Sequence, residues 1–230
     1  DRGEEIRINP LTFDEFMSAY KGDIRMAWTE FMMYGGMPFV LSKTGHAEKA
    51  SYLHGLFNHT YITDVIERNN LRGSKDVLED LLNILASSVG SLTNTTKLEN
   101  TFKSERQVSI SHNTISAYID SFIDAFILKK AARYDIKGRK YIGAQQKYFY
   151  SDVGLRNARL NFRQQEENHI MENIIYNELT ARGFSVDVGV IETTVVNVDG
   201  KRQRSLLEVD FVCHRGHARY YIQSALTVAE

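Results

Sequence analysis

The sequence predicts an α+β chain: a helical first third, then three helices running into a two-stranded ribbon, then a helix feeding a small sheet. Three observations carry this. Apolar residues recur at helical spacing through most of the first half. Short alternating segments bounded by glycine turns take over afterwards. The charge is uneven: residues 91–150 hold 10 basic and 5 acidic side chains, while the whole chain sums to −1. A basic middle points toward nucleic acid, and a solvated face explains it equally well.

The bulk numbers exclude several classes. At 230 residues the chain has room for one large domain or two or three small ones. Its 43% hydrophobic and 25% charged content is that of a soluble globular protein. It holds no run of 18 apolar residues, so we expect no membrane span. The opening DRGEEIRINP lacks an apolar stretch, so no secretory signal is expected. Cys213 stands alone, which rules out an internal disulfide and fits the reducing cytoplasm. His46, His54 and His59 lack Cys or carboxylate companions at ligand spacing, so solvated or packed histidines are expected there rather than zinc.

Element by element, EEIRINP reads as a strand with no partner nearby, and we expect another domain before it. A helix starts near Thr12. Gly35-Gly36 breaks the helix carrying Trp28 and Phe31, and Pro38 hinders its resumption. Residues 47–70 carry a helical apolar stripe that core packing explains without a cofactor. This helical connector is assigned to residues 1–75. DVLEDLLNILASSVGS is an amphipathic helix capped by Gly90, TNTTKLENTFKS a shorter one, and SISHNTISAYIDSFIDAF a third. The ribbon AARYDIKGRKYIGAQQKYFYSD turns at Asp135-Ile136-Lys137-Gly138.

Three helices followed by a ribbon, over residues 76–150, is the winged-helix pattern. Such a module sets its third helix in a DNA groove and its wing on phosphates. Lys137, Arg139 and Lys140 at the ribbon tip are the candidate phosphate contacts. His112 and Asn113, with Ser111, Thr114 and Ser116, open the third helix and are candidates for bases or phosphates. The alternative is a protein-binding winged helix.

Residues 151–230 are expected to form an α/β domain. SDVGLRNARLNF reads as a loop. QQEENHIMENIIYNELTARGF reads as a helix stopped by Gly183, with strands near 184–190, 192–198, 205–213 and 218–224 and turns at Asp199-Gly200 and Arg215-Gly216. A helix with Glu172, a strand with Asp210 in EVDFV and a strand reaching Gln223 resemble the core of PD-(D/E)XK, restriction-endonuclease-like nucleases. In that family such positions hold Mg²⁺, which activates a water and stabilises the cleaved phosphate. Glu172, Asp210 and Gln223 are therefore the nuclease-like positions, and Glu172 and Asp210 the candidate Mg ligands. The third strand should read Glu-x-Lys but reads Gln223-Ser224-Ala225. Gln223 lacks charge, and Ala225 stands where the lysine belongs. The outline is present and the chemistry is degenerate. Glu172 is alternatively a helix-surface acid. Glu208 is expected outward and solvated, and Arg156 or a backbone N–H is expected to partner Asp210.

Taken together, INPLTFDEFM, FMMYGGMPFVL, YITDVIERNNLR, YDIKGRKYI, KYFYSDVGLRN and EVDFV…YYIQSAL resemble bacterial and archaeal AAA-type ATP-binding proteins whose ATPase precedes a C-terminal domain of unknown function. The resemblance covers essentially the whole chain. It implies that the first strand ends an ATPase core. No G-x-x-x-x-G-K-[ST] loop exists here, so this chain has no ATP-binding residues, and ATP would act only through an N-terminal ATPase domain of the parent protein. The reading is a DNA- or protein-binding adaptor with a degenerate nuclease-like part. The alternatives are a Mg-dependent nuclease and a protein–protein interaction module.

Overall fold

The computed structural model describes residues 3, 4, 6–68, 75–196 and 202–226. It is a mixed α+β structure with one mixed sheet. The chain starts with α1 (Phe13–Ala19), and Thr12 and Glu15 close a capping box at its head. Next comes α2 (Ile24–Tyr34), capped by Asp23 and stopped by Gly35 at φ 71°. A short 3₁₀ turn, Pro38–Ser42, leads to α3 (Gly45–Gly55). The expected single helix over 47–70 is instead α3, a wider π-type turn at Leu56–Tyr61, and α4 (Ile62–Arg68). Residues 69 and 70 of that stretch lie outside the described residues.

The middle follows the expected order: α5 (Lys75–Ser87), α6 (Thr95–Thr101), then α7 (His112–Asp124), whose Ser111 cap accepts from the Thr114 N–H. Gly90, expected as the cap of α5, instead lies three residues beyond its last residue, Ser87, at φ 73°, and its N–H donates to the Tyr148 carbonyl. The ribbon is β1 (Leu128–Asp135) and β2 (Lys140–Tyr150). One core gathers Leu78, Leu81, Leu85, Ile115, Phe122 and Tyr150 beneath these helices.

SDVGLRNARLNF is not a loop. It forms α8 (Val153–Arg159), a helix almost wholly buried. Its polar letters mislead because most of them are satisfied inside, although the buried Ser151 Oγ has no partner among the described residues. Asp152 caps the helix and also takes the Gly36 N–H at 2.7 Å. The Asn157 amide donates to the Met32 and Met33 carbonyls at the end of α2. Arg156 donates to the Ala86 carbonyl and ion-pairs with Glu166. Buried polar groups persist when they are bonded.

The last part is α9 (Glu167–Ala181), β3 (Ser185–Val196), β4 (Arg202–Arg215) and β5 (Ala218–Ile222). The two strands expected over 184–198 are one continuous strand. The Asp199-Gly200 turn lies outside the described residues, while Gly216 at φ 60° makes the other expected turn. The sheet order is β2-β1-β3-β4-β5. Only the β1–β3 pair is parallel, through Arg133↔Val188, Tyr134↔Gly189 and Asp135↔Val190. The ribbon expected to be a separate wing thus shares a sheet with the C-terminal strands. Among the described residues no helix is long and apolar enough to cross a membrane.

Candidate functional site

Three elements converge at one end of α9. The helix is pinned by Asn173, whose amide donates to the Tyr150 carbonyl at 2.7 Å while its oxygen accepts the Tyr150 N–H at 2.8 Å. Asn177 adds a bond to the same carbonyl. Tyr176 stacks on Phe149 at 4.2 Å and lies 6.4 Å from Phe211. This docking carries Glu172 into the structure, where it is 8% exposed. Glu172 is not a helix-surface acid.

β4 supplies two carboxylates. The register with β3 slips between Asp187↔Val212 and Gly189↔Val209, so β4 carries one extra residue there. In a regular strand, Asp210 and Phe211 would face opposite sides. The bulge relaxes that rule, and both address α9: Phe211 meets Tyr176, and Asp210 meets Glu172. Glu208, Asp210 and Glu172 place carboxylate oxygens within 4.8 Å of one another. Glu208 is therefore part of the cluster, although its side chain keeps 36% exposure.

The cation comes from β2. Lys147, 2% exposed, puts its Nζ 2.5 Å from Glu172 and 2.6 Å from Glu208. Burial alone would depress its pKa, yet the two carboxylates override burial and raise it. Burial likewise raises the Glu172 carboxyl; Lys147 opposes that shift, and the Asp210 and Glu208 charges reinforce it. Gly90 closes this wall: a Cβ there would stand 2.8 Å from a Glu172 oxygen.

Asp210 finds its partners in Gln223 and Ser224, backbone and side chains together, not in Arg156, which is occupied on α8. Its Oδ2 accepts from Gln223 Nε2 at 2.8 Å, the Ser224 N–H at 2.7 Å and Ser224 Oγ at 2.8 Å. Gln223 so acts as a donor to Asp210. A cleft of about 550 Å³ opens here, lined by His169, Glu172, Asp210, Gln223, Ser224 and Ala225. The structure brings the sequence candidates Glu172, Asp210 and Gln223 together, and adds Lys147, Glu208 and Ser224, which sequence reading did not place with them. Alternation in EVDFV offered a hint for Glu208; nothing local marked Lys147.

Carboxylate oxygens are the right donors for Mg²⁺. Their arrangement does not fit it. An ammonium already lies between Glu172 and Glu208, and one Asp210 oxygen is taken by three donors. A cation would have to displace Lys147 to use the cluster.

The nucleic-acid candidates lie elsewhere. Lys137, Arg139 and Lys140 are exposed at the β1–β2 tip. Asp135 shapes that tip by accepting the Lys137 and Gly138 N–H groups. Lys137 Nζ donates to the Glu192 carbonyl of β3. At the head of α7, Asn113 is exposed and His112 lies 3.3 Å from Glu99. Of the histidines weighed as zinc ligands, His46 bonds the Tyr34 hydroxyl and His54 packs on Phe162. The His59 side chain lies outside the described residues.

A family model described as a domain of unknown function, DUF8612, matches residues 25–166. The chain is 33% identical to an uncharacterized protein of Haemophilus influenzae over 98% of its own length and 54% of that protein's. It is 26% identical to an uncharacterized protein of Methanocaldococcus jannaschii, MJ1544, over 80% of its own length and 43% of that protein's. The chain thus spans about half the length of these relatives. No solved structure matches it. A match across most of the chain, backed by a relative at this identity, makes the chain a member of the DUF8612 family.

Proposed function

We propose that the chain is a non-cleaving, nucleic-acid-binding adaptor region that works with an ATPase part of a longer protein. The observation that carries the non-cleaving half is Lys147. Its ammonium fills the position between Glu172 and Glu208 that a catalytic cation would need. The network then holds α9, β2 and β4 together instead of activating water. The order α5, α6, α7, β1, β2 supports a winged-helix reading of residues 76–150, with the exposed basic tip as its phosphate contact. The link to an ATPase rests on the family resemblance, and the half-length coverage of the relatives supports a second functional part.

A Mg²⁺-dependent nuclease is the second reading, favoured by the three clustered carboxylates and the open cleft beside them. One experiment separates the two: labelled duplex and single-stranded DNA are titrated with the chain at low and high salt, with and without Mg²⁺, and the products run on a gel. Salt-sensitive binding with intact DNA is expected. Mg²⁺-dependent cleavage that Asp210→Ala abolishes would establish the nuclease. Absence of binding at low salt would leave a protein partner.

A further inference from the structure

β3 and β4 outrun the rest of the sheet. β1 pairs with β3 only as far as Val190, and β5 pairs with β4 only from Phe211 onward. Residues 191–196 and 202–207 are therefore paired only with each other among the described residues. An isolated two-stranded ribbon is marginal in water. This one leaves both faces bare: Leu206 is 58% exposed and Leu207, on the opposite face, 54%. Such an arm gains stability when something covers it.

Its chemistry selects the cover. Register is unbroken from Val209 to Arg202, so Arg202, Arg204, Leu206 and Glu208 share one face by strand alternation. Glu208 fixes that face as the one that meets Lys147 and the carboxylate cluster. Two exposed guanidinium groups, a strand repeat apart, thus lead away from the cluster. The β1–β2 tip is bound against the same arm, because Lys137 donates to the Glu192 carbonyl. That contact brings the exposed Arg139 and Lys140 toward it, while Tyr141 bonds Asp187 on the other face of the sheet.

Among the described residues the nearby carboxylates are engaged: Asp135 by backbone N–H groups, Glu192 by Arg204 at 3.2 Å, Asp187 by the Tyr141 hydroxyl, and Glu208 by Lys147. Guanidinium groups pair with phosphate oxygens in a two-pronged geometry.

We propose that the β3–β4 arm and the adjoining β1–β2 tip form a single phosphate-binding track for nucleic acid, with Arg202 and Arg204 as its outer contacts. The proposal deepens the adaptor reading and rests on it. Two duplex phosphate contacts contribute about 1.8 to the slope of log affinity against log salt, or roughly tenfold in affinity between roughly 50 and 200 mM salt.

The test is fluorescence anisotropy of the full chain with a labelled single strand and with its duplex, across salt. Arg202→Gln combined with Arg204→Gln should weaken binding at low salt and flatten the slope by about that amount. Glu192→Gln, which frees Arg204, should strengthen binding. The two DNA forms distinguish a single strand from a duplex as the preferred source of phosphates. If the double variant binds with an unchanged slope while Lys137→Gln with Lys140→Gln weakens binding, the track is overturned and the adaptor reading stands. If the unaltered chain binds neither DNA at low salt, both fall.

Discussion

Lys147 decides how the carboxylate cluster behaves. Two carboxylates hold its ammonium in a place closed to solvent. Removing one partner of a buried ion pair costs more than the pair itself contributes, because the survivors are left uncompensated. Lys147→Met should therefore destabilise the chain at neutral pH by about 3–5 kcal/mol, read from urea unfolding. Acidification should restore part of that loss, since protonation neutralises the stranded carboxylates. A variant as stable as the parent at neutral pH would show that the ammonium holds nothing together. This residue was invisible in the sequence because it stands before α9, whereas the nuclease pattern the sequence resembles places its lysine after Gln223. Asp210 was legible: a carboxylate among apolar strand residues needs a partner, and the Ser224 N–H supplies one.

At the scale of elements, α8 shows where patterning misleads. SDVGLRNARLNF is polar enough to read as a surface loop, yet its polar atoms serve as ties to α2 and α5. Asp152 is the most exposed to consequence. Burial drives its carboxyl up to about 6, with the N–H groups of Gly36, Leu155 and Gly154 pulling the other way. A carboxyl raised above its ordinary value stabilises the fold while protonated. The contribution is fully present below about pH 4 and is lost as pH rises through about 6, on the order of 3 kcal/mol in all. Asp152→Asn should flatten the fall in unfolding free energy across that window. A slope identical to the parent's would mean that another group carries it. The β4 bulge is a second case: strand alternation predicts one inward residue, and the extra residue turns both Asp210 and Phe211 toward α9.

Across the whole molecule, the parallel β1–β3 pair joins parts that the sequence divides near residue 150. The ribbon is at once the continuation of α7 and the neighbour of the C-terminal strands. Lys147 and Asn173 reinforce the joint from either side. A fragment of residues 75–150 would expose the β1 edge and the underside of Phe149 and Ala131, both fully buried here. It should fail to give a cooperative thermal transition, while the full chain melts as one unit. A fragment with a sharp transition of its own would establish an independent domain.

Local signals were enough for the mixed α+β class, the order of most helices and strands, the cap at Ser111, and for singling out Glu172 and Asp210. Each depends on neighbours within a few residues: periodicity, cap chemistry, a carboxylate set in an apolar strand. The merging of the ribbon into the sheet, the burial of α8 and the arrival of Lys147 beside Glu172 depend on residues far apart in the chain. Their free energy comes from desolvation and pairing that exist only after the elements pack. That is why a site with the outline of a metal centre closes around its own ammonium instead.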